Sequence, residues 1–139
     1  MTKPILAINP GSTSTKIAVH AGGEPLFTET IRHDAAELSR FGHVMEQEAF
    51  RRDLIAAALA RHGLALGDLG AVIGRGGLMR PIPGGVYAVG AEMLSDLRSC
   101  RYGTHASNLG AILARDLGDA AGIPAFIADP VVVDELGPL

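Results

Sequence analysis

The residues best suited to chemistry lie near the amino terminus, in the stretch NPGSTSTK at positions 9–16. Gly11 allows the backbone to turn and expose its N–H groups, four hydroxyl side chains add hydrogen-bond donors, and Lys16 adds a positive charge. This combination is suited to binding an anion such as a phosphate group. The alternative is a hairpin in which the serines and threonines only satisfy backbone groups of the turn.

The spacing within this stretch excludes one common phosphate-binding loop. A Walker A loop has a glycine immediately before its lysine and a helix after it. Here Thr15 precedes Lys16, and the alternating apolar pattern that follows predicts a strand. The expected element is therefore a strand–turn–strand loop, which would bind phosphate oxygens without the dipole of a helix.

Two further candidates, Arg75 and Asp129, each stand close to the end of a predicted buried strand. A guanidinium group stays charged and can bind a carboxylate through two parallel hydrogen bonds. Asp129 precedes Pro130 at a strand end, a place suited to metal or nucleophile chemistry beside a phosphate loop. The alternatives are a solvent-exposed loop arginine and an Asp-Pro pair that only ends the strand.

The elements that must position these residues predict an α/β domain. Three short strands joined by turns come first, which indicates an antiparallel meander. A helix, a strand, a loop rich in glycine and proline, two helices and a last strand follow, an order typical of a mixed sheet covered by helices. The predicted strands are residues 5–8, 16–20, 26–31, 71–73 and 125–128, with a short extended piece at 86–89, and the predicted helices are 45–62, 90–99 and 105–122, the first and last ended by Gly63 and Gly122.

Composition limits the function classes. The chain has 139 residues, 47% of them hydrophobic, and a formal net charge of −3, so it can form one domain with a core and has no basic segment typical of nucleic acid binding. Its apolar runs are too short to cross a bilayer, and a strand pattern begins too early for a signal peptide. The single cysteine, Cys100, agrees with a reducing compartment. We therefore expect a cytoplasmic protein without a membrane or nucleic acid partner.

Four motifs resemble a family of kinases, in the same order along the chain. They are NPGSTSTK, VIGRGGLMRPIPGGVY, HASNLGA and PAFIADPVVVDEL, and the resemblance extends from residue 5 to residue 136. The sequence is similar to the acetate, propionate and butyrate kinases, most closely to the last, within the superfamily of sugar kinases, heat-shock ATPases and actin. The resemblance implies a ribonuclease-H-like fold, ATP and Mg²⁺ as cofactors, a short-chain carboxylate substrate such as butyrate, and a homodimer for the full-length enzyme.

The resemblance also implies roles for the residues of the first motif. Asn9 would lie near Mg²⁺, and Ser12, Ser14 and Lys16 would lie near the transferred phosphoryl group. Phosphoryl transfer requires positioning and charge stabilisation rather than covalent help, and these residue types supply both.

The later motifs imply roles for three more residues. Arg75 would bind the substrate carboxylate, and His105 would support the transition state. Asp129 would be the catalytic aspartate, acting mainly through Mg²⁺ and its waters, because a carboxylate substrate is already ionised at neutral pH. In acetate kinases a histidine precedes the arginine, whereas Gly74 stands there in this chain and Gly76, Gly77, Leu78 and Met79 follow the arginine. We expect this difference to widen or reshape the acyl pocket, which leaves the length of the substrate open. A lone histidine such as His105 can instead cap a helix or lie partly buried.

Enzymes of this family have two domains, and this chain ends shortly after the fourth motif. Residues 1–139 are expected to form the amino-terminal domain, with the carboxy-terminal nucleotide-binding half absent. The expected reaction, reversible phosphoryl transfer from ATP to butyrate to give an acyl phosphate, would belong to the full-length enzyme. The alternatives are a non-catalytic binding or assembly module, and a kinase for acetate or propionate.

Overall fold

The computed structural model describes residues 3–75, 86–99 and 106–128, and these form one sheet with helices packed on it. The elements follow the predicted order, so the α/β class is confirmed. The strands are β1 (Ile5–Pro10), β2 (Ser14–Ala21), β3 (Glu24–Arg32), β4 (Ala71–Arg75), β5 (Val86–Ala88) and β6 (Ala125–Ala128), and the helices are α1 (Ala35–Leu38), α2 (Glu48–Arg61), α3 (Ala91–Arg98) and α4 (Leu109–Ala121). Short 3₁₀ turns cover Val44–Gln47, Leu66–Asp68 and Ala106–Asn108.

The described strands form a mixed sheet in the order β3-β2-β1-β4-β6-β5. β1, β2 and β3 pair as the predicted antiparallel meander, whereas β4 is parallel to β1 and to β6. β5 closes the edge antiparallel to β6. The parallel pairs matter most for function, because side chains at the carboxyl ends of β1 and β4 reach the same edge of the sheet.

Glycines end the elements where the sequence predicted. Gly22 and Gly23, with φ of 60° and 82°, form the two-residue turn between β2 and β3. Gly63 follows α2 with φ of 77°, and Gly122 ends α4 in the left-handed conformation with φ of 70°.

One face of the sheet carries the hydrophobic core. Along β1 and β2, residues alternate between this buried face and a face of exposed or half-buried side chains. α4 packs on β4 and β6, with α2 beside it. The core residues that are at most 2% exposed include Leu6, Ile8, Ile17, Val19, Val72 and Ile127 from the strands and Ile55, Leu59, Leu109, Ile112, Leu113 and Leu117 from the helices.

A pair of glycines allows α4 to approach β4 closely. A Cβ built on Gly74 would lie 2.1 Å from the carbonyl oxygen of Gly110, and one on Gly110 would lie 2.0 Å from that of Arg75. Real Cβ contacts essentially never fall below 3.0 Å. Position 74 is therefore glycine because a side chain there would collide with α4. The expectation that this stretch widens or reshapes the acyl pocket stays a prediction.

The boundaries differ from prediction mainly at the ends of β1 and β2. β1 continues through Pro10 and β2 begins at Ser14, because the two strands remain paired up to Pro10 and Thr15. The predicted helix at 45–62 begins with a 3₁₀ turn and becomes α-helical at Glu48. None of the helices in the described ranges is both long and apolar enough to cross a membrane.

Candidate active site

The turn between β1 and β2 is tight and presents hydroxyl groups to solvent. Only Gly11, Ser12 and Thr13 separate the strands, and the N–H of Gly11 donates to the carbonyl of Ser14 across 2.7 Å. Ser12 and Thr13 are exposed, and Ser14 is half-buried. We call residues 11–14 the hydroxyl loop.

Asn9 and Lys16 lie beside each other at the base of this loop. They are direct partners across the antiparallel β1–β2 pair, which places their Cβ atoms about 5 Å apart on the same face of the sheet. Both are exposed, because their neighbours Ile8 and Ile17 occupy the buried face. The structure thus brings together the amide and the amine that the first motif singled out.

Arg75 joins them from the adjacent parallel strand. Ile8 is the partner of Gly74 in the β1–β4 pair, so Arg75 follows at the level of Asn9. Asn9, Lys16 and Arg75 line one cavity of about 300 Å³. The other side chains along it are apolar, from Ala7, Ile8, Ile17, Ala18 and Ile73.

The electrostatics of this cavity favour an anion. Two cationic side chains and one amide line it, and no acidic side chain does so within the described part of the chain. The apolar lining would accept a small alkyl group. The arrangement therefore suits a ligand that has an anionic end and a short apolar end.

Two of the predicted site residues, His105 and Asp129, lie outside the described residues. Their described neighbours lie close to the cavity-lining strands. Ala128 ends β6 as the partner of Arg75, and Ala106 begins the 3₁₀ turn that leads into α4.

Behind the hydroxyl loop lies a residue that the sequence analysis did not select, Arg51 of α2. Its side chain is fully buried. Nη1 donates to the carbonyl of Ser14 at 3.0 Å and to Oγ1 of Thr15 at 3.1 Å, and Nη2 approaches the carbonyl of Ser12 at 3.5 Å. Nε and Nη2 also donate to Oε1 of Gln47, at 3.0 and 2.8 Å. Within the described part of the chain, all of these partners are uncharged.

His33 completes the network on the side of β3. Its backbone N–H donates to the carbonyl of Thr13 at 2.9 Å, and its Nε2 lies 2.8 Å from Oγ1 of Thr15. Its buried Nδ1 has no hydrogen-bond partner among the described residues. Burial, and then the charge of Arg51, lower the pKa of His33, whereas burial lowers the pKa of Arg51 to about 10. At neutral pH, Arg51 is therefore charged and His33 is neutral.

A signal for this network was present in the sequence. Arg51 lies four residues before Ile55 and eight before Leu59, so it belongs to the apolar stripe of α2 that packs in the core. Thr15 likewise lies on the buried face of β2, together with Ile17 and Val19. A polar side chain at a core position requires buried partners, which is a reason to search for a network.

The described residues fit only part of a magnesium site. No group of three or more His, Cys, Asp or Glu side chains that could hold a metal occurs among them. Mg²⁺ is commonly held by one or two protein oxygens together with phosphate oxygens and water, and the exposed amide of Asn9 can supply one such oxygen. The donor set present therefore fits a metal that arrives with a phosphate ligand.

Sequence comparison with curated proteins identifies the relatives of this chain. A protein of Listeria innocua serovar 6a named probable butyrate kinase is 52% identical over 139 residues, which is all of this chain and 39% of that protein. An Enterococcus faecalis protein of the same name is 55% identical over 135 residues, 97% of this chain and 37% of that protein. The chain is therefore similar to the amino-terminal part of proteins named probable butyrate kinase. It spans 37–39% of the length of these two relatives, and no family model matches it.

Solved structures support the same fold. The acetate kinase of Porphyromonas gingivalis superimposes with a TM-score of 0.59 and 14% identity, covering 92% of this chain and 37% of that chain. The acetate kinase of Entamoeba histolytica gives a TM-score of 0.54 and 15% identity, covering 91% and 34%. At these identities the likeness shows the fold alone, and it confirms the predicted ribonuclease-H-like architecture.

Proposed function

We propose that the chain is the amino-terminal part of a butyrate kinase, an enzyme that transfers a phosphoryl group from ATP to butyrate and also catalyses the reverse reaction. The observation that carries this proposal is the single cavity shared by Asn9, Lys16 and Arg75. It lies at the carboxyl ends of the parallel strands β1 and β4, where ligands bind in open α/β sheets. The identity to proteins named probable butyrate kinase supports the choice of a short-chain carboxylate as substrate.

Each side chain has a distinct task in this proposal. Arg75 would hold the carboxylate of butyrate with its alkyl chain against the apolar lining. Lys16 and the hydroxyls of Ser12 and Ser14 would stabilise the charge that spreads over the phosphoryl oxygens during transfer. Because the acceptor is already a carboxylate, the reaction needs alignment of the two substrates more than it needs a base.

ATP, Mg²⁺ and the remaining residues complete the proposal. Mg²⁺, when bound with ATP, would neutralise phosphate charge, with Asn9 as one of its ligands. His105 would support the transition state, and Asp129 would organise the waters of the metal. The full-length enzyme would be a cytoplasmic homodimer.

The test uses a hybrid protein, in which this chain replaces the matching part of the Listeria innocua relative and the rest of that relative follows. The purified hybrid is given butyrate, ATP, Mg²⁺ and hydroxylamine, which converts an acyl phosphate to an acyl hydroxamate. We expect hydroxamate to form only when both butyrate and ATP are present. A folded hybrid that forms none, while the intact relative does, would contradict the proposal.

Variants of Arg75 test the assignment of the carboxylate. Arg75→Met should raise the KM for butyrate at least about tenfold, because a charge-assisted bidentate contact is lost, and should change the KM for ATP far less. Arg40→Met is the matched control, because Arg40 is exposed and lies outside the cavity. An unchanged KM for butyrate in Arg75→Met would show that another group binds the carboxylate.

A second candidate is a binding module without turnover, in which the cavity lined by Lys16 and Arg75 would bind an anion and no phosphoryl transfer would follow. Calorimetry on the 139-residue chain, together with the activity of the hybrid, distinguishes a kinase domain from a binding module. A binding module would bind butyrate or ATP in the calorimeter, and the hybrid would form no hydroxamate. Comparison of acetate, propionate and butyrate as acceptors in the hybrid then decides the preferred chain length.

A further inference from the structure

We propose that Arg51 is a positioning residue for phosphate binding: from the protein interior it fixes the hydroxyl loop in the conformation that binds the nucleotide phosphates, and it adds a buried positive charge behind the loop. This inference rests on the proposed function, since it names what holds the loop that would bind ATP. It goes beyond that function because Arg51 itself would touch no substrate.

The first argument is geometric. The carbonyls of Ser12, Thr13 and Ser14 all face protein donors: those of Ser12 and Ser14 face the guanidinium of Arg51, and that of Thr13 accepts from the N–H of His33. All described peptide bonds are trans, and the C=O and N–H of a trans peptide point in opposite directions.

It follows that the N–H groups of the loop are directed away from these donors. The N–H of Thr13 shares a peptide with the Ser12 carbonyl and therefore points away from Arg51, and the N–H of Ser14 shares a peptide with the Thr13 carbonyl and therefore points away from the N–H of His33. A backbone N–H that faces away from the protein's own donors can donate to a bound anion. Arg51 and His33 thus hold the carbonyls of the loop and leave the N–H groups of the same peptides directed away from them.

The second argument is electrostatic. Arg51 is fully buried, and within the described residues its hydrogen bonds go only to uncharged oxygens of Gln47, Thr15 and two loop carbonyls. A buried charge without a counterion is costly, so proteins usually pair it. A phosphate group bound on the outer side of the loop would supply the missing negative charge, and it would do so only when the site is occupied.

The two neighbouring arginines of α2 provide a matched comparison. Arg51→Met removes the buried charge and its hydrogen bonds, whereas Arg52→Met removes the charge of an arginine whose side chain is 39% exposed and faces Asp53 and Asp116. In the hybrid enzyme we expect Arg51→Met to raise the KM for ATP about tenfold and to leave the KM for butyrate within about twofold. Arg52→Met should change neither constant by more than about twofold.

Milder variants keep the inference testable if Arg51→Met does not fold. Gln47→Met removes the acceptor that anchors Nε and Nη2 without adding or removing a charge, and we expect it to raise the KM for ATP about threefold. Arg51→Lys keeps the positive charge and loses the planar guanidinium group that donates several hydrogen bonds at once, so its KM for ATP should lie between those of wild type and Arg51→Met. A purely structural role would lower the melting temperature and the active fraction but leave the KM for ATP unchanged.

A binding experiment on the 139-residue chain separates failure of this inference from failure of the proposed function. Inorganic triphosphate is titrated while the backbone amide resonances of Thr13 and Ser14 are followed by NMR. We expect shifts at both amides in wild type and about tenfold weaker binding in Arg51→Met. If these appear while the hybrid makes no hydroxamate, the kinase proposal fails and the role of Arg51 stands. If wild type shows no shifts, or if folded Arg51→Met binds triphosphate as tightly as wild type, the role of Arg51 is refuted.

Discussion

The close contact between α4 and β4 gives the sharpest stability prediction. Replacing Gly110 by alanine should destabilise the chain, although alanine favours a helix over glycine by up to about 1 kcal/mol. The reason is that the backbone of β4 at Arg75 occupies the space that the new methyl group needs. The expected sign is thus opposite to the one that helix propensity alone predicts.

The size of the effect follows from the distances. A Cβ on Gly110 would lie 2.0 Å from the carbonyl oxygen of Arg75, about 1 Å inside the 3.0 Å limit of real contacts. Because the obstacle is backbone on both sides, α4 and β4 must move apart instead of a side chain moving aside. Overpacking a core costs about 1–3 kcal/mol, and we expect the upper end, about 3 kcal/mol, or a melting temperature lower by about 10 °C.

Urea and thermal unfolding, followed by circular dichroism, measure this loss. Gly67→Ala is the control, because its Cβ would meet no atom within 4 Å, and its free energy of unfolding should stay within about 0.5 kcal/mol of wild type. Gly118→Ala should be intermediate, at about 1 kcal/mol, since its Cβ would lie 2.8 Å from the carbonyl oxygen of Ile123. If Gly110→Ala proves as stable as Gly67→Ala, the packing argument is refuted.

Two further substitutions test other parts of the fold. Burial, and then the neighbouring Glu48, raise the pKa of Asp116 to about 7, so stability present below about pH 4 should be lost as the pH rises through 7. Asp116→Asn should remove most of the change in the free energy of unfolding between pH 4 and pH 8, and at pH 8 its free energy of unfolding should exceed that of wild type by about 2 kcal/mol. A pH dependence of stability that stays unchanged in Asp116→Asn would contradict the raised pKa. Gly122→Ala places a Cβ in a left-handed conformation, so chemical denaturation should show a loss of about 1 kcal/mol, and no loss would argue against that helix end.

Local sequence signals predicted most of the fold. The meander, the helices and their glycine ends depend on turns and periodicities a few residues long, and the structure confirms each of them. Asn9 and Lys16 were predicted together because they lie in one motif, and the strand register places them as partners. The predicted strand ends were wrong because Pro10 and Thr15 extend the strands only by pairing with each other, and the local pattern of either segment does not show that pairing.

Long-range packing was harder to predict. The meeting of Gly74 and Gly110 joins residues that are far apart in the sequence, and a glycine in a loop-like stretch gives no sign of the helix that will cover it. Arg51 was missed for the same reason, because its partners on β2 lie 36 and 37 residues away. A pattern can show that such a residue is buried, but only the fold shows what it binds.

Strand β2 illustrates how one alternating pattern serves two tasks. Thr15 points inward to Arg51 and His33, while Ser14 and Lys16, one residue to either side, belong to the opposite face, where Lys16 lines the cavity. A shift of the β1–β2 register by one residue would turn Lys16 into the core and Thr15 to solvent, and both the cavity and its support would be lost. The hydrogen bonds of Thr15 and the apolar neighbours Ile17 and Val19 favour the same register. The geometry of the candidate phosphate site is therefore set by the buried half of the strand that also carries the lysine.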